Sequence, residues 1–349
     1  LLILIALSWL YMTFGQTPLV AGLFYGIKPA VAAIVVHAAH RIGSRTLRNG
    51  VLWAIAAAAF VAIFAFDLPF PAIVLGAAIV GLIGGRLAPG RFATGGGHGG
   101  NAAASAGPAV IDDGTPTPAH ARFAVPRLLA VAAIGVALWA LPMGLLAAFL
   151  GWDHILTQMG WFFTKAALLS FGGAYAVLPY IYQGAIEDFG WLSSSQMMDG
   201  LALGESTPGP LIMVVAFVGF VGAWGKAPFG PDALLLAGAL AAALVTWFTF
   251  LPSFLFIFAG GPLVESTHGD LKFTAPLTAI TAAVVGVIAN LAVFFGYPVL
   301  WPTGFSGGPD PVAAAIALGA AVALFRFKAN VIHVIAACAG LGLAARFLA

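Results

Sequence analysis

Long apolar runs follow one another along almost the whole sequence, and this feature most restricts the folds open to the chain. Hydrophobic residues make up 62% of the chain and charged residues 7%, whereas a soluble domain carries roughly a quarter charged residues. In a bilayer, each span must satisfy its own backbone hydrogen bonds, which favours helices. The sequence therefore predicts an all-α polytopic membrane protein. The apolar runs cover residues 1–14, 26–42, 51–66, 69–86, 127–150, 155–182, 197–223, 232–259, 274–296, 311–325 and 330–347.

One long polar stretch interrupts these runs between residues 87 and 126. It contains GGGHGG at 95–100 and TPTP at 115–118, a composition typical of a flexible linker. No Lys-Ser or Lys-Thr pair follows the glycines, so the stretch does not fit a phosphate-binding loop. We predict a first unit at 1–86, a cytoplasmic linker at 87–126 and a second unit at 127–349.

A weak internal repeat relates the two units. The paired stretches are 59–64 with 320–325, 73–86 with 334–346, and 28–35 with 273–280. They occur in the same order, which indicates that the first unit is the C-terminal part of one transporter repeat and that the second unit is another repeat. The sequence opens at Leu1 inside an apolar run, and the first unit contains no counterpart of residues 155–223. We therefore expect that an N-terminal part of the first repeat is missing from this sequence.

The distribution of basic residues predicts how the runs are oriented, because Lys and Arg concentrate in cytoplasmic loops. Arg41, Arg45 and Arg48 assign the end of the second run to the cytoplasm, and Asp67 then lies outside. Continuing the count assigns the outside to residues 152–154, 226 and 297–310, and the inside to residues 187–188, 272, 326 and 328. Matching turns of the two units thereby carry opposite charge. This pattern predicts inverted-topology repeats, which are typical of secondary transporters with a central site.

Two apolar segments, 164–179 and 199–212, are interrupted by glycine or proline and carry an ionisable residue, a combination that predicts broken helices lining a site. Lys165 lies about ten residues into its run, roughly 15 Å deep. We interpret it as an ammonium that attracts an anion; the alternative is a lysine that extends to the interface. Gly172 and Gly173 can turn backbone N–H groups toward that anion, or can allow close helix packing.

Glu205 lies at a similar depth in the second segment. A lone carboxyl in lipid is protonated or paired, so Glu205 is interpreted as a proton carrier or as a structural partner of Lys165. Tyr175 can donate a hydrogen bond to the same site or can serve packing. Asp199, nearer the start of its segment, is assigned an interfacial or structural role.

A helix break followed by a helix start is predicted where the second segment contains proline and glycine. Pro210 suits the first helical position, and the Thr207 hydroxyl can accept hydrogen bonds from nearby backbone N–H groups. The half-helix from 210 to 221 would then direct its positive end to the centre of the membrane. The break itself consists of Thr207, Pro208, Gly209 and Pro210.

These segments resemble the two signature stretches of the chromate ion transporter family. The resemblance is carried by FGGAYAVLP at 171–179 and GLALGESTPGPLI at 200–212, and it extends over 127–349 and more loosely over 1–86. It implies export of chromate, a tetrahedral dianion similar to sulfate, from the bacterial cytoplasm, with proton coupling. Long members of the family contain two such halves, and this sequence lacks both motifs of the first. The residues expected to bind the substrate are Lys165, Phe171, Gly172, Gly173, Tyr175, Thr207, Pro208, Gly209 and Pro210.

The sequence thus predicts a proton-coupled exporter of chromate in the bacterial inner membrane, with Glu205 coupling the proton. A carrier of another tetrahedral oxyanion such as sulfate, or a passive anion channel, is the alternative. An enzyme acting on a lipid phosphate would need clustered Arg, His and acidic residues at an interface, and the sequence contains no such cluster. We expect the lipid bilayer, protons and the oxyanion as partners, and no cofactor, metal or nucleic acid. Association as a homodimer is a further expectation.

Overall fold

The computed structural model describes residues 1–92, 124–170, 174–207, 209–266 and 274–348. All regular structure in these ranges is helical, which confirms the all-α prediction. The helices are α1 (Leu2–Phe14), α2 (Pro18–Thr46), α3 (Gly50–Phe66), α4 (Phe70–Leu87), α5 (Pro89–Phe92), α6 (Val125–Leu150), α7 (Ile155–Leu168), α8 (Ala174–Tyr182), α9 (Ser194–Ser206), α10 (Val214–Lys226), α11 (Leu234–Ser266), α12 (Thr274–Leu300), α13 (Pro311–Phe325) and α14 (Val331–Leu348).

Five helical stretches within the described ranges are long and apolar enough to cross a membrane. They are α2, α4, α6, the stretch Pro231–Gly260 and α12. The chain is therefore a multi-pass membrane protein. Of the predicted linker at 87–126, only the ends are seen, where α4 stops, α5 forms one turn and α6 begins; residues 93–123 lie outside the described residues.

Side-chain caps fix where several helices begin. The Asn49 side chain accepts hydrogen bonds from the backbone N–H groups of Val51 and Leu52 and starts α3. Ser193 and Gln196 form a reciprocal capping box at the start of α9. Such caps replace the partners that the first N–H groups of a helix lack, and each is worth about 1 kcal/mol. Local sequence therefore determines where the site-bearing helix α9 starts.

Two helix triplets, α2–α4 and α12–α14, pack against each other. Each long helix packs against the other two helices of the opposite triplet: α2 against α13 and α14, and α12 against α3 and α4. The long helices α2 and α12 also pack against each other. The long helix of each triplet thus packs on the two shorter helices of the other triplet, and the two triplets make equivalent contacts.

The contacts show that the two triplets run in opposite directions. Gly43, near the end of α2, approaches Val285 in the first half of α12. Pro29 and Val299 line one cavity, so α2 and α12 are antiparallel. Helix α2 runs parallel to α13. Tyr25 in its first half donates a hydrogen bond to Asp310 at the start of α13, and His40 near its end contacts Phe325 at the end of α13.

The inverted relation predicted from charge is therefore present in the geometry of α2–α4 and α12–α14. One part of the predicted repeat alignment differs from the structure, because the whole of α2 corresponds to the whole of α12. Lys28 lies in the interior of α2, whereas Thr274 begins α12, so the alignment of 28–35 with 273–280 does not match equivalent positions. The assignment of 1–86 and 127–349 as two transporter repeats stays a prediction.

The run at 155–182 folds back on itself as a hairpin of α7 and α8. The Phe162 ring stacks on the Tyr180 ring with 4.8 Å between centroids, and it also contacts Trp191 beyond the hairpin. Phe162 of α7 therefore lies beside Tyr180 and Trp191, which follow the break between α7 and α8. The two helices enter and leave at the same end of the bundle, and the hairpin is re-entrant.

The run at 197–223 forms a second hairpin, of α9 and α10. Gly200 packs against the Phe217 ring, and Gly204 lies near Val214, so the two helices are antiparallel on either side of the break. At the open end of this hairpin, Gly222 approaches Trp191 of the connection between the hairpins. Both hairpins therefore have their open ends together and their breaks together.

This arrangement corrects one step of the charge-based orientation. Glu187 and Asp188 were predicted on the cytoplasmic side, on the assumption that 155–182 spans the membrane. Because α7 and α8 form a re-entrant hairpin, these two residues lie at the end of the bundle that carries Asp67. The orientation of the later turns is unchanged, because the second hairpin also returns to its starting end.

Candidate functional site

The breaks of the two hairpins meet at one hydrogen bond. Tyr175, in the first turn of α8, donates its hydroxyl to Oε1 of Glu205 in the last turn of α9. Both side chains are half-buried. The structure thus joins two of the residues that the sequence analysis selected, while the part of Tyr175 in substrate binding stays a prediction.

A basic residue that was not selected completes this group. The charge of Arg41 acts on both Glu205 and Tyr175, and Arg41 lies in the last turns of α2. The sequence analysis used Arg41 only to orient the chain. The structure thus joins a carboxyl and a phenol of the second unit by a hydrogen bond, and the exposed guanidinium of Arg41 acts on both through its charge.

Lys165 lies in the last turn of α7, next to the first break. Its ammonium lies 5.9 Å from the centroid of the Trp161 ring, on a face of α7 where Trp161 and Leu168 are exposed. Among the described residues, no ion pair joins Lys165 to Glu205. The cation–π contact stabilises the ammonium at this partly exposed position. The predicted pairing of Lys165 with Glu205 is therefore wrong for this conformation.

The second break is built differently in detail from the prediction. The Thr207 hydroxyl donates to the Gly204 carbonyl, rather than accepting from backbone N–H groups. Pro210 is extended, with φ −70° and ψ 136°, and immediately precedes a short 3-10 turn, Leu211–Met213, that leads into α10. Gly209 and Pro210 are exposed. Phe171, Gly172, Gly173 and Pro208 lie outside the described residues.

A second polar cluster lies in the first half of α9. Asp199 is buried, and its Oδ2 accepts a hydrogen bond of 2.8 Å from the Tyr11 hydroxyl. The ammonium of Lys28 is 3.6 Å from the same oxygen and donates to Ser195 Oγ at 2.6 Å. Of the two roles predicted for Asp199, interfacial or structural, the enclosed and paired carboxyl agrees with the structural one.

Both clusters connect α2 to the α9–α10 hairpin. Lys28 reaches the first half of α9 and Arg41 acts at its end, so the two helices run side by side in the same direction. The available sequence signal was the pair of basic residues near the two ends of the apolar run at 26–42. Each had a sufficient explanation as an interfacial cation, and only the tertiary contacts show what they face.

The arrangement at the hairpin breaks is suited to small anions and protons. A carboxyl bonded to a phenol can take up or release a proton, and a nearby guanidinium provides the donors that oxyanions prefer. In the described part of the chain, no group of three or more His, Cys, Asp or Glu residues could hold a metal ion.

Comparison with known proteins identifies the family of this chain. The sequence model of the chromate transporter family matches residues 1–82 and 157–343, which include both triplets and both hairpins. The chain is 33% identical over 300 residues to the chromate transport protein of Pseudomonas aeruginosa, covering 84% of this chain and 60% of that protein. It is 26% identical over 294 residues to the chromate transport protein of Cupriavidus metallidurans, with coverages of 84% and 60%. No solved structure matches. The chain thus spans about 60% of the length of these relatives, and it belongs to the chromate transporter family.

Proposed function

We propose that this protein exports chromate across the bacterial inner membrane and that protons drive the transport. Family membership supports the substrate, and the opposed triplets with two broken hairpins support a carrier mechanism. Because the chain spans about 60% of its two named relatives, the activity of the whole transporter is part of the proposal. Association as a homodimer belongs to the same proposal.

The observation that carries the proposal is the hydrogen bond between Tyr175 and Glu205 where the two breaks meet, together with the charge of Arg41 acting on both. Arg41 supplies the positive charge that draws chromate to the site, in place of the role expected for Lys165. A guanidinium is the better ligand for a tetrahedral oxyanion because two of its N–H groups can bond two oxygens at once.

Glu205 is proposed as the proton-coupling residue. An arriving dianion repels a carboxylate, so chromate binding and the protonation state of Glu205 are linked, and each changes the affinity for the other by the same factor. Tyr175 holds the Glu205 carboxyl in place in either state, since its hydroxyl can donate to the Glu205 carboxylate or form a hydrogen bond with the neutral carboxyl group.

The two breaks supply the remaining ligands in this proposal. The substrate-binding set is completed by residues beside the Tyr175–Glu205 pair in the sequence: Phe171, Gly172, Gly173, Thr207, Pro208, Gly209 and Pro210. Lys165 follows as a second cation that can reach the site in another state of the cycle, because it is close to the break that ends α7.

Two alternatives differ in substrate or in coupling. A sulfate carrier would use the same site, because both ions are tetrahedral dianions, and it is identified by competition of sulfate against labelled chromate. A passive channel would conduct the anion without regard to an imposed pH gradient.

Everted membrane vesicles containing this chain provide the test. Labelled chromate uptake is measured with and without an imposed pH gradient for the wild type, Glu205→Gln and the matched control Glu187→Gln, whose carboxylate is exposed. We expect gradient-dependent uptake in the wild type and the control, and uptake without that dependence in Glu205→Gln. Normal gradient dependence in Glu205→Gln would show that the proton route lies elsewhere, and absence of uptake by the wild type would contradict the proposed transport.

A further inference from the structure

We propose that Asp199 is a second proton-binding site, and that its protonation transfers Lys28 from Asp199 to Asp310. This site lies in the first half of α9, six residues before Glu205 and about 9 Å away at 1.5 Å per residue. The inference rests on the proposed function only in assigning the proton to a transport cycle. The binding of the proton and the movement of Lys28 follow from the local geometry.

The two oxygens of Asp199 have unequal surroundings. Oδ2 receives both the Tyr11 hydroxyl at 2.8 Å and the Lys28 ammonium at 3.6 Å. Oδ1 is buried and has no hydrogen-bond partner among the described residues. A buried polar atom without a partner is uncommon and calls for an explanation. A proton on Oδ1 would displace no existing hydrogen bond, so this oxygen is the natural place for it.

Lys28 and Tyr11 are the groups that act on Asp199. Lys28 comes from α2 and Tyr11 from α1; α10 and α14 also pack on α9, and within the described ranges no charged group of theirs acts on the carboxyl. The Asp199 side chain is only 4% exposed, so its charge depends on this one ammonium. A buried carboxylate is stable as an anion only while a partner compensates it, so the proton and Lys28 compete for Asp199.

Lys28 has a second carboxylate available. Its side chain is 30% exposed and lines a cavity of about 220 Å³ together with Tyr25, Ser195 and Asp310. At roughly 30 Å³ of liquid volume for each water, this cavity is large enough for the ammonium to move within it. Asp310 caps α13 by accepting from the N–H groups of Val312 and Ala313, and its other oxygen accepts from the Tyr25 hydroxyl at 2.7 Å.

The hydrogen bonds that Asp310 accepts favour its ionised form. Although partial burial acts in the opposite direction, the backbone N–H groups of Ala313 and Val312 and the Tyr25 hydroxyl together lower its pKa. A carboxylate at the cavity can thus receive Lys28 whenever Asp199 becomes neutral. The exchange keeps the ammonium paired in both states, which avoids the cost of an isolated buried charge.

The exchange would change the connection between two parts of the protein. With Asp199 charged, Lys28 ties α2 to the α9–α10 hairpin through Asp199 and Ser195. With Asp199 neutral, Lys28 ties α2 to the start of α13 instead. The cavity lies toward the end of α2 away from Arg41, Arg45 and Arg48, so the positive-inside rule assigns it to the outside. An acidic exterior would therefore loosen the hairpin from α2.

Infrared difference spectroscopy on the purified chain in lipid nanodiscs tests the proton directly, without chromate. The carbonyl stretch of protonated carboxyl groups is followed as the pH is lowered, for the wild type, Asp199→Asn and Glu205→Gln. We expect Asp199→Asn to lose one component that Glu205→Gln retains. In Lys28→Met the component should persist to a pH roughly 1–3 units higher, since an adjacent cation lowers a carboxyl pKa by about that amount. Lys28→Arg, which restores the charge, should titrate near the wild type.

The double variant Lys28→Met/Asp199→Asn controls for misfolding of the single variants, because it removes both charges and leaves no unpaired charge buried. It should fold and lack the component. A wild-type spectrum in folded Asp199→Asn or in the double variant would overturn the proposal, as would an unshifted component in Lys28→Met. Since no transport is measured, these results can fail while chromate transport by the same chain stands.

Discussion

The re-entrant packing of α9 on α10 makes Gly200 the most sensitive small residue near the site. A Cβ at this position would come within 3.0 Å of three atoms of the Phe217 ring, whereas ordinary carbon contacts begin near 3.4 Å. The ring is fully buried and contacts the Tyr11 ring with 5.3 Å between centroids, so it has no free space to turn into. The two helices must therefore separate by up to about 1 Å in Gly200→Ala.

Overpacking of this kind costs about 1–3 kcal/mol, and the better helix propensity of alanine returns up to about 1 kcal/mol. We expect Gly200→Ala to lower the free energy of unfolding by about 1–2 kcal/mol. Gly204, one turn along the same helix, is the matched control, because its nearest neighbour atom beyond the helix, Val214 Cβ, would lie at 3.5 Å. Gly204→Ala should be neutral or stabilising by up to about 1 kcal/mol.

Reversible unfolding of the purified variants in mixed detergent micelles, followed by tryptophan fluorescence, measures both free energies. If α9 and α10 were instead one continuous span, neither alanine would meet a helix across the break. Both substitutions would then be neutral or stabilising. A Gly200→Ala variant as stable as Gly204→Ala would refute the hairpin packing.

Three further predictions concern the bundle, the lysine and the orientation. Gly286→Ala would place a Cβ against the Ala56 carbonyl and should destabilise the protein by about 1–3 kcal/mol in the same assay. The control Gly296→Ala, whose Cβ would meet open space, should leave stability unchanged. Equal stabilities of the two variants would contradict the close packing of α12 on α3. Lys165→Gln should insert normally but reduce chromate resistance in cells, and unchanged resistance would remove Lys165 from the site. Cysteines at Arg48 and Asp188 should label from the cytoplasm and the periplasm respectively, and labelling from one side would contradict the re-entrant hairpin.

Most of the helical architecture could be predicted because hydrophobicity and helix breaks are local properties. The interruptions near Gly172 and Pro208 were recognised from composition alone, and the structure ends α7 and α9 just before them. The direction of the chain after each break could not be predicted in this way. An apolar run interrupted in its middle has the same composition whether it crosses the membrane or returns, and only packing such as Phe162 on Tyr180 distinguishes the two.

The site was predicted in part for a similar reason. Glu205 and Tyr175 stood out because polar groups in apolar runs are costly, and the structure joins them. Arg41 was used only to orient the chain and Lys28 was not selected, because each lies near an end of its run, where a cation needs no special partner. Their contacts with α9 connect residues more than 160 positions apart, and no periodicity in a single sequence reports such a pairing.

Chromate binding to the purified chain tests most directly the claim that the meeting point of the hairpin breaks holds the anion. Equilibrium dialysis with radiolabelled chromate compares the wild type, Arg41→Gln and Arg48→Gln. Both arginines are exposed, and Arg48 lies two turns further along the chain, beyond the end of α2. We expect saturable binding by the wild type and Arg48→Gln, and binding at least about tenfold weaker in Arg41→Gln, because a hydrogen bond to a charged group is lost. Equal binding by Arg41→Gln and the wild type, or no saturable binding by the wild type, would contradict the proposed site.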